Sequence, residues 1–248
     1  MKKIKSFFII IFFTYTVFLF SQEKIDDTDY KEFLKLNAGY TEAEDSFLTK
    51  QSIIKYEKNL KPIYSDSSYC LFHKNGQCVQ IKSKNKIQYF FSSDQGYWLY
   101  NKNLKTPLKI SGSYKIEEFE IQDILKTNFK ADYKLISYED GIFTLERQNQ
   151  KAVYKFIFLA KKDKNIFELQ FTDVRKVPIR KLVYHVSVVD GYLCFKKIDV
   201  YNLIFDKDSY SSWITENVRK VDIPSSLFSF SQIKHLTQRM EGLILNGK

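Results

Sequence analysis

From Phe47 onward, apolar and polar residues alternate with a period of two, which predicts β-strands rather than helices. Each strand places large apolar side chains on one face and polar side chains on the other. The predicted strands are Phe47–Tyr56, Tyr69–Lys74, Gln77–Lys82, Lys86–Ser92, Tyr97–Asn101, Leu104–Ser111, Tyr133–Tyr138, Ile142–Gln148, Ala152–Ala160, Ile166–Val174, Arg180–Val189, Tyr192–Leu203 and Tyr210–Val218.

Helical spacing appears in three short segments. Asp29–Leu36 has apolar residues at helical intervals, with Thr28 and Asp29 as possible N-caps. The later part of Ile116–Thr127 and the stretch Ser225–Gln238 are the other two predicted helices, and Gly242 onward is predicted to be a loose tail. So few helices cannot cover a large sheet, and the sequence therefore predicts a mainly β domain.

Tight-turn dipeptides indicate an antiparallel meander. Asn75-Gly76, Asp140-Gly141 and Asp190-Gly191 each separate two predicted strands, and such pairs favour two-residue hairpin turns. A two-residue turn at Asn75-Gly76 would pair Lys74 with Gln77. That register puts Cys70 and Cys78 on opposite faces of the sheet, where they cannot form a disulfide. The third cysteine is Cys194, and we expect three buried thiols.

The N-terminus has the anatomy of a signal peptide. Three lysines precede an apolar run from Phe7 to Phe20, and Ser21 offers a small residue for cleavage. Residues 1–21 are therefore predicted to be a signal peptide and residues 22–248 one domain, in the periplasm. The alternative is an uncleaved signal that tethers the chain to the inner membrane, because Leu19 is not a small residue. No cysteine lies near the cleavage point, which argues against N-terminal lipidation.

Composition adds a basic surface. The whole chain has a net charge of +10; without residues 1–21 it keeps 36 basic and 29 acidic residues, a net charge of +7. A basic surface favours anionic lipid headgroups or nucleic acid. Export makes nucleic acid an improbable partner, and the lysines alternate out of strands rather than forming a stripe. Compositional bias toward lysine explains the charge equally well.

Catalytic signatures do not emerge from the sequence. The three histidines are scattered, none at metal-ligand spacing, and no nucleophile elbow or phosphate-binding glycine loop occurs. The acidic group Glu117, Glu118 and Glu120 is interpreted as solvated surface. His73, beside the Asn75-Gly76 turn, is interpreted as an exposed hairpin residue. We therefore expect a protein that is not an enzyme and that carries no metal or cofactor.

The segment Gly96–Gly112 resembles a known family. A Trp-x-Tyr strand (Trp98, Tyr100), a following strand with Pro107, Lys109, Ile110 and Ser111, and a short acidic helix at residues 122–125 are similar to the LolA-like periplasmic lipoprotein carriers. The resemblance extends from about Tyr30 to about Leu236. It implies an incomplete, half-open antiparallel β-barrel with a short α-helical lid, of the kind shared by LolA and LolB.

This resemblance gives the inward faces a hypothetical role. It implies a monomeric carrier of acylated lipoproteins or lipids, with an inner-membrane release complex and an outer-membrane acceptor as further partners. The lid would consist of Tyr30–Leu36, Ile121–Lys126 and Ser225–Leu236. The residues predicted to line an apolar cavity are Leu99, Leu108, Ile110, Tyr154, Phe156, Phe158, Phe167, Leu169, Phe171, Tyr184, Val186 and Phe228.

Two function classes stay open. The same alternation is the normal core of any half-buried sheet. A domain with a filled interior would instead be a non-enzymatic envelope protein-binding module. Within the carrier class, the sequence does not choose between lipoproteins and free lipids.

Overall fold

Strands dominate the structure, a computed structural model that describes residues 27–38, 45–57, 61–74, 76–83, 86–93, 95–116, 118–125, 128–150, 152–204 and 209–246. The predicted signal peptide lies outside the described residues. Within the described ranges, no helix is long and apolar enough to span a membrane. The strands are β1 (Ser46–Tyr56), β2 (Pro62–His73), β3 (Gly76–Ser83), β4 (Lys86–Ser93), β5 (Gly96–Tyr100), β6 (Leu108–Ile110), β7 (Lys115–Ile116), β8 (Phe119–Glu120), β9 (Tyr133–Glu139), β10 (Ile142–Arg147), β11 (Phe156–Asp163), β12 (Ile166–Thr172), β13 (Pro178–Val189), β14 (Tyr192–Asn202) and β15 (Tyr210–Val221).

Two antiparallel meanders join into one sheet. Its thirteen strands run in the order β6-β5-β4-β3-β2-β1-β15-β14-β13-β12-β11-β10-β9, and β1 pairs with β15 to connect the halves. The edge strands β6 and β9 are not paired with each other in this order, so the curled sheet stays open along one seam. The predicted fold class, a half-open antiparallel β-barrel with short helices, is confirmed.

Four α-helices accompany the sheet within the described residues: α1 (Thr28–Ala38), α2 (Ile121–Ile124), α3 (Phe129–Asp132) and α4 (Ile233–Asn246). The sheet face that carries α1 and residues 118–125 is called the inner face, and the opposite face, which carries α4, the outer face. The inner cluster contains buried residues from both halves of the sheet, such as Phe90 of β4 and Leu145 of β10. A smaller outer cluster packs under α4 and includes Leu71, Phe91 and Leu236.

The predicted aspartate-glycine hairpins are confirmed. Glu139 pairs with Ile142 across Asp140-Gly141, and Val189 pairs with Tyr192 across Asp190-Gly191. All four turn residues have positive φ angles, as a type I′ turn requires. These turns fix the register of the second meander.

The predicted register of the first hairpin is wrong. His73, not Lys74, is the last paired residue of β2, and its partner is Gly76. A Cβ on Gly76 would lie 2.5 Å from the Ser92 carbonyl oxygen, so the glycine is needed inside β3 and cannot serve the turn. Cys70 and Cys78 still lie on opposite faces, Cys70 in the inner and Cys78 in the outer cluster. All three cysteines are buried, and burial raises the pKa of the Cys78 thiol to about 12.

Other boundaries also differ from the sequence prediction. β6 is only three residues long, and β11 begins at Phe156 rather than Ala152. The C-terminal helix continues to Asn246, so the predicted loose tail after Gly242 is wrong. Leu243 and Ile244 explain the extension, because they pack against the outer cluster.

Phenylalanines on opposite faces of β11 and β12 are expected to contribute differently to stability. Phe167 is fully buried in the inner cluster, whereas Phe158 is half-buried on the outer face. Phe167→Ala is expected to lower the free energy of unfolding by about 3–5 kcal/mol, because it leaves a cavity in the core. Phe158→Ala should lower it by about 1 kcal/mol, since the site opens to water. Equal losses for the two variants in urea denaturation would contradict this assignment of faces.

Candidate functional site

Helix α1 is anchored to the inner face by one phenylalanine. The Phe33 ring is fully buried, and its centroid lies 5.2 Å from Phe129, 5.5 Å from Phe167, 5.5 Å from Tyr184 and 5.8 Å from Phe195. Aromatic pairs at these separations are favourable beyond their buried area. This ring therefore packs the helix against three strands and α3.

Residues 118–125 are anchored differently, by a buried charged cluster that we call the Arg180 cluster (Arg180, Glu120, Asp123 and Tyr154). Arg180 Nη2 lies 2.6 Å from Asp123 Oδ2, and Nη1 lies 3.2 Å from Glu120 Oε2. Nη1 also donates to the Tyr154 hydroxyl at 3.2 Å, and Nη2 donates to the Glu118 carbonyl at 3.0 Å. The Tyr154 hydroxyl in turn donates to Glu120 Oε1 at 2.7 Å. The cluster thus ties residues 118–125 to β13.

Burial and charge set the protonation of this cluster. Arg180 and Glu120 are each 5 % exposed. Burial disfavours the guanidinium cation, but the neighbouring Asp123, Tyr154 and Glu120 outweigh it and raise the pKa of Arg180 above its ordinary value. Burial raises the pKa of Tyr154, an effect that Arg180 opposes and Glu120 reinforces. Arg180 therefore stays charged, and the neutral phenol of Tyr154 keeps the proton that it donates.

Ion pairs nearer to solvent add smaller attachments. Lys161 of β11 lies 2.9 Å from Asp29 and 2.6 Å from Glu32, both on α1. The hydrogen bond that Lys161 donates to Glu32 is the main reason why the pKa of Lys161 is raised. Such accessible pairs contribute at most about 1 kcal/mol each. The apolar contacts of α1 therefore account for most of its attachment to the sheet.

A small cavity remains beneath the two attached segments. Its volume is about 50 Å³, and Leu36 and Asn37 of α1 line it together with Phe119, Asp123 and Ile124. Its floor comes from the inner face, including Phe72, Tyr184 and Trp213. Ligand sites for small molecules usually measure about 300–1,000 Å³. The inner face is thus almost filled by side chains when α1 is in place.

Half of the predicted cavity residues come together in the inner cluster. Leu99 and Ile110 pack against its margin and belong to the part of the sheet near the open seam. The six buried members of the cluster are Tyr154, Phe167, Leu169, Phe171, Tyr184 and Val186.

Four predicted residues lie elsewhere. Phe156 and Phe158 lie on the outer face, because β11 begins at Phe156 and its buried alternation falls on Ile157 and Leu159. The prediction that they share a face with Tyr154 is wrong. Leu108 is 49 % exposed on the short strand β6.

Phe228 lies on the outer face, where its ring stacks on His73 at 4.8 Å. His73 is therefore buried, contrary to the exposed hairpin residue predicted for it. Burial and the nearby Lys74 lower the pKa of His73. The same packing places Ser225–Leu236 against the outer cluster, so this segment cannot cover the inner face as a lid.

The Arg180 cluster is the feature that sequence reasoning missed. Glu120 was expected on a solvated surface, yet it is buried in the ion cluster. The sequence contained one indication of this cluster. Arg180 lies two and four residues before Leu182 and Tyr184 in the same strand, so its side chain points to the inner face as theirs do. A charge at an inward position requires a buried partner.

Groups with catalytic chemistry lie on the outer face. His185 Nε2 is 2.9 Å from Asp199 Oδ2, and the Ser212 hydroxyl donates to the other oxygen of the same carboxylate. The serine therefore contacts the aspartate rather than the imidazole, which is not the order that activates a serine nucleophile. In the part of the chain that the structure describes, no three His, Cys, Asp or Glu side chains form a group that could hold a metal ion.

Removal of the arginine tests the cluster. Arg180→Met is expected to cost about 3–5 kcal/mol in urea denaturation, because Glu120 and Asp123 stay buried without their cation. The triple variant Arg180→Met, Glu120→Gln, Asp123→Asn should recover much of that loss, since no buried charge is left. Lys161→Met, which removes only accessible ion pairs, is the control and should cost about 1 kcal/mol or less. A loss of that size for Arg180→Met would refute an anchoring role.

Comparison with solved structures supports the fold. A LolA superfamily protein from Nitrosomonas europaea superposes with a TM-score of 0.61 at 15% identity, over 80% of this chain and 96% of that one. A Vibrio parahaemolyticus structure described as an outer membrane lipoprotein-sorting protein domain gives 0.58 at 15% identity, over 81% and 95%. A DUF1329 family protein from Desulfovibrio piger gives 0.57 at 16% identity, over 81% and 97%.

Comparison of the sequence, by contrast, gives no match. No protein-family model matches the chain, and no curated protein matches it. At these identities the solved structures establish the architecture alone: the chain has a LolA-like fold.

Proposed function

We propose that this protein is a periplasmic carrier that shields acyl chains of lipoproteins or lipids on its inner face and moves them toward the outer membrane. The observation that carries the proposal is the aromatic inner face, part of which is covered by the short helix α1 beside residues 118–125. Phe33 alone inserts α1 between Phe129, Phe167, Tyr184 and Phe195. Withdrawal of that helix would uncover a continuous apolar surface inside a curled sheet, as an acyl chain requires.

A comparison of free energies favours α1 as the element that moves. Its buried apolar side chains are Tyr30, Phe33 and Leu36, whose exposure to water would cost about 5–8 kcal/mol. Each methylene group taken from water contributes ~0.8 kcal/mol, so one sixteen-carbon chain contributes on the order of 12 kcal/mol. A single acyl chain can therefore offset the displacement of α1 and leave a modest surplus. A small net free energy of cargo binding allows release at the receiving membrane.

Residues 118–125 are better suited to be a fixed wall than a second lid. Their displacement would expose Phe119, Ile121 and Leu125 and would also break the buried ion pairs of Arg180. The Arg180 cluster therefore keeps one side of the cavity in place while α1 moves. Of the three lid segments predicted from the sequence, we therefore retain only α1 as a moving lid.

The remaining expectations fit a carrier in the envelope. The N-terminal signal anatomy would place the chain in the periplasm, cleaved or tethered, and a release complex and an outer-membrane acceptor would be its partners. Two of the structural neighbours come from proteins named for the LolA superfamily or for lipoprotein sorting. The outer-face arrangement of His185, Asp199 and Ser212 gives no support to catalysis.

One observation favours the alternative, a protein-binding module with a filled core. The cavity of about 50 Å³ is far smaller than an acyl chain needs. If α1 never leaves, the inner face is ordinary core, and any partner would bind the exposed edge strands or the outer face. The two functions therefore differ in whether external molecules reach the inner face.

Photocrosslinking in cells that export the chain separates them. A benzophenone residue at Phe171, on the inner face, should form adducts with acylated lipoproteins or with lipid, and mass spectrometry of the adducts identifies the cargo. The same residue at Phe156, on the outer face of the adjacent strand, is the matched control and should not form those adducts. Crosslinks from position 171 that are only intramolecular would make the filled-core module the better account.

A further inference from the structure

The open seam of the sheet contains a second, larger recess, which we call the seam groove. It has a volume of about 830 Å³, within the range of ligand sites. Its walls come from the ends of both edge regions: Tyr97 and Lys109 on the β5–β6 side, and Phe129 and Asp132 on the β9 side. The groove therefore lies where the two meanders approach without pairing.

One buried acceptor in this groove has no donor. Gln77 is 6 % exposed, it lines the groove, and its Oε1 atom accepts no hydrogen bond from any described residue. Gln77 belongs to the inner face, because its neighbour Cys78 points into the outer cluster. A buried carbonyl oxygen without a donor is unfavourable. A water molecule or a ligand hydroxyl or amine would remove that penalty.

The charge of the groove favours an anion. Lys74, Lys109 and Lys130 line it and are exposed, and Asp132 is the acidic residue among its described lining residues. Lys109 and Lys130 form no ion pair with a described residue. Asp132 Oδ1 accepts a hydrogen bond from Asn149 Nδ2 at 2.9 Å. The lysines thus outnumber the acid in a recess that also offers a hydrogen-bond acceptor.

The groove adjoins the small cavity beneath α1. Asn37, near the end of α1, lines both spaces. In residues 118–125, Asp123 and Ile124 face the cavity, whereas Gln122 and Leu125 face the groove. A ligand whose chain entered beneath α1 would therefore have its polar end in the groove.

We propose that the seam groove binds the headgroup of an anionic, hydroxyl-bearing glycerophospholipid whose acyl chains occupy the apolar inner face that α1 covers in the empty protein. The lysines would neutralise the phosphate, and a headgroup hydroxyl would donate to Gln77 Oε1. This inference rests on the proposed carrier function and adds a selectivity for cargo that an apolar cavity alone cannot supply. It predicts that affinity depends on the headgroup as well as on the chains.

Binding of three fluorescent lipids with identical acyl chains tests the inference. Phosphatidylglycerol should bind at least about tenfold more tightly than diacylglycerol, because two lysines near a phosphate contribute roughly that factor or more. Lys109→Glu with Lys130→Glu should abolish the difference and leave diacylglycerol affinity unchanged. Lys86→Glu with Lys234→Glu changes the net charge equally at exposed sites outside the groove and should keep the difference.

Gln77→Leu tests the hydroxyl contact separately. It should weaken phosphatidylglycerol binding severalfold and leave binding of phosphatidylcholine, which has no headgroup hydroxyl, unchanged. The empty variant should also melt a few degrees higher, because the buried acceptor is gone. Equal effects of Gln77→Leu on both lipids would show that the residue acts through packing and would overturn the proposed contact.

The outcomes distinguish this inference from the carrier function. Equal affinity for phosphatidylglycerol and diacylglycerol would overturn the headgroup site and leave the carrier intact. Failure to bind any of the three lipids would overturn the headgroup site, and the further absence of lipoprotein adducts from position 171 would overturn the carrier function as well. Binding of inorganic phosphate by a protein that binds no lipid would assign the lysines to a free anion and would overturn the lipid site.

Discussion

The buried ion pair between Arg180 and Asp123 is the constraint on which the inner face depends. It fastens a connection between the two meanders to β13, far along the sheet from either edge. A charge pair of this kind costs little while both partners are present and a great deal when one is removed. It therefore fixes the position of residues 118–125, because a displacement of this segment would leave buried charges without their partners. The cavity wall formed by Phe119, Asp123 and Ile124 follows from that position.

Residues 118–125 and helix α1 are attached to the inner face by different kinds of interaction. This difference suggests that one segment stays fixed and the other moves. Residues 118–125 are held by charges that must stay buried, whereas α1 is held by apolar surface that another apolar molecule can replace. An acyl chain bound as proposed would compete directly with Phe33 and Leu36 for the same surface. It does not compete with Asp123 for Arg180. A curled sheet with one exchangeable helix can thus accept cargo without losing its framework.

Much of the fold could be predicted from the sequence because its signals are local. The turns Asp140-Gly141 and Asp190-Gly191 need positive φ angles, which few residues adopt. These dipeptides therefore predict a hairpin turn whatever the rest of the fold is. In Ile166–Val174 only one face is apolar, and Phe167, Leu169 and Phe171 are indeed inward. Around Phe156 both faces are apolar, and a slip of one residue exchanges them. Alternation could not decide between Phe156 and Ile157 there.

The anchoring site could not be predicted because it joins residues distant in sequence. Glu120, Tyr154 and Arg180 come from three separate segments of the chain and meet only in the folded sheet. Likewise, Gly76 looks like a turn residue until β4 is placed beside it, where the Ser92 carbonyl leaves no room for a Cβ. The outer position of α4 depends on a second apolar face in β1–β5, which the alternation of those strands conceals because both of their faces are partly apolar.

Hydrogen exchange of the empty protein and of the protein loaded with an acylated ligand tests the central claim most directly. The account predicts that amides of α1 lose protection on loading, while those of residues 118–125 and of α4 keep it. Unchanged protection of α1 in a protein with bound ligand would contradict the account, because the acyl chain would then have reached its site without displacing the helix.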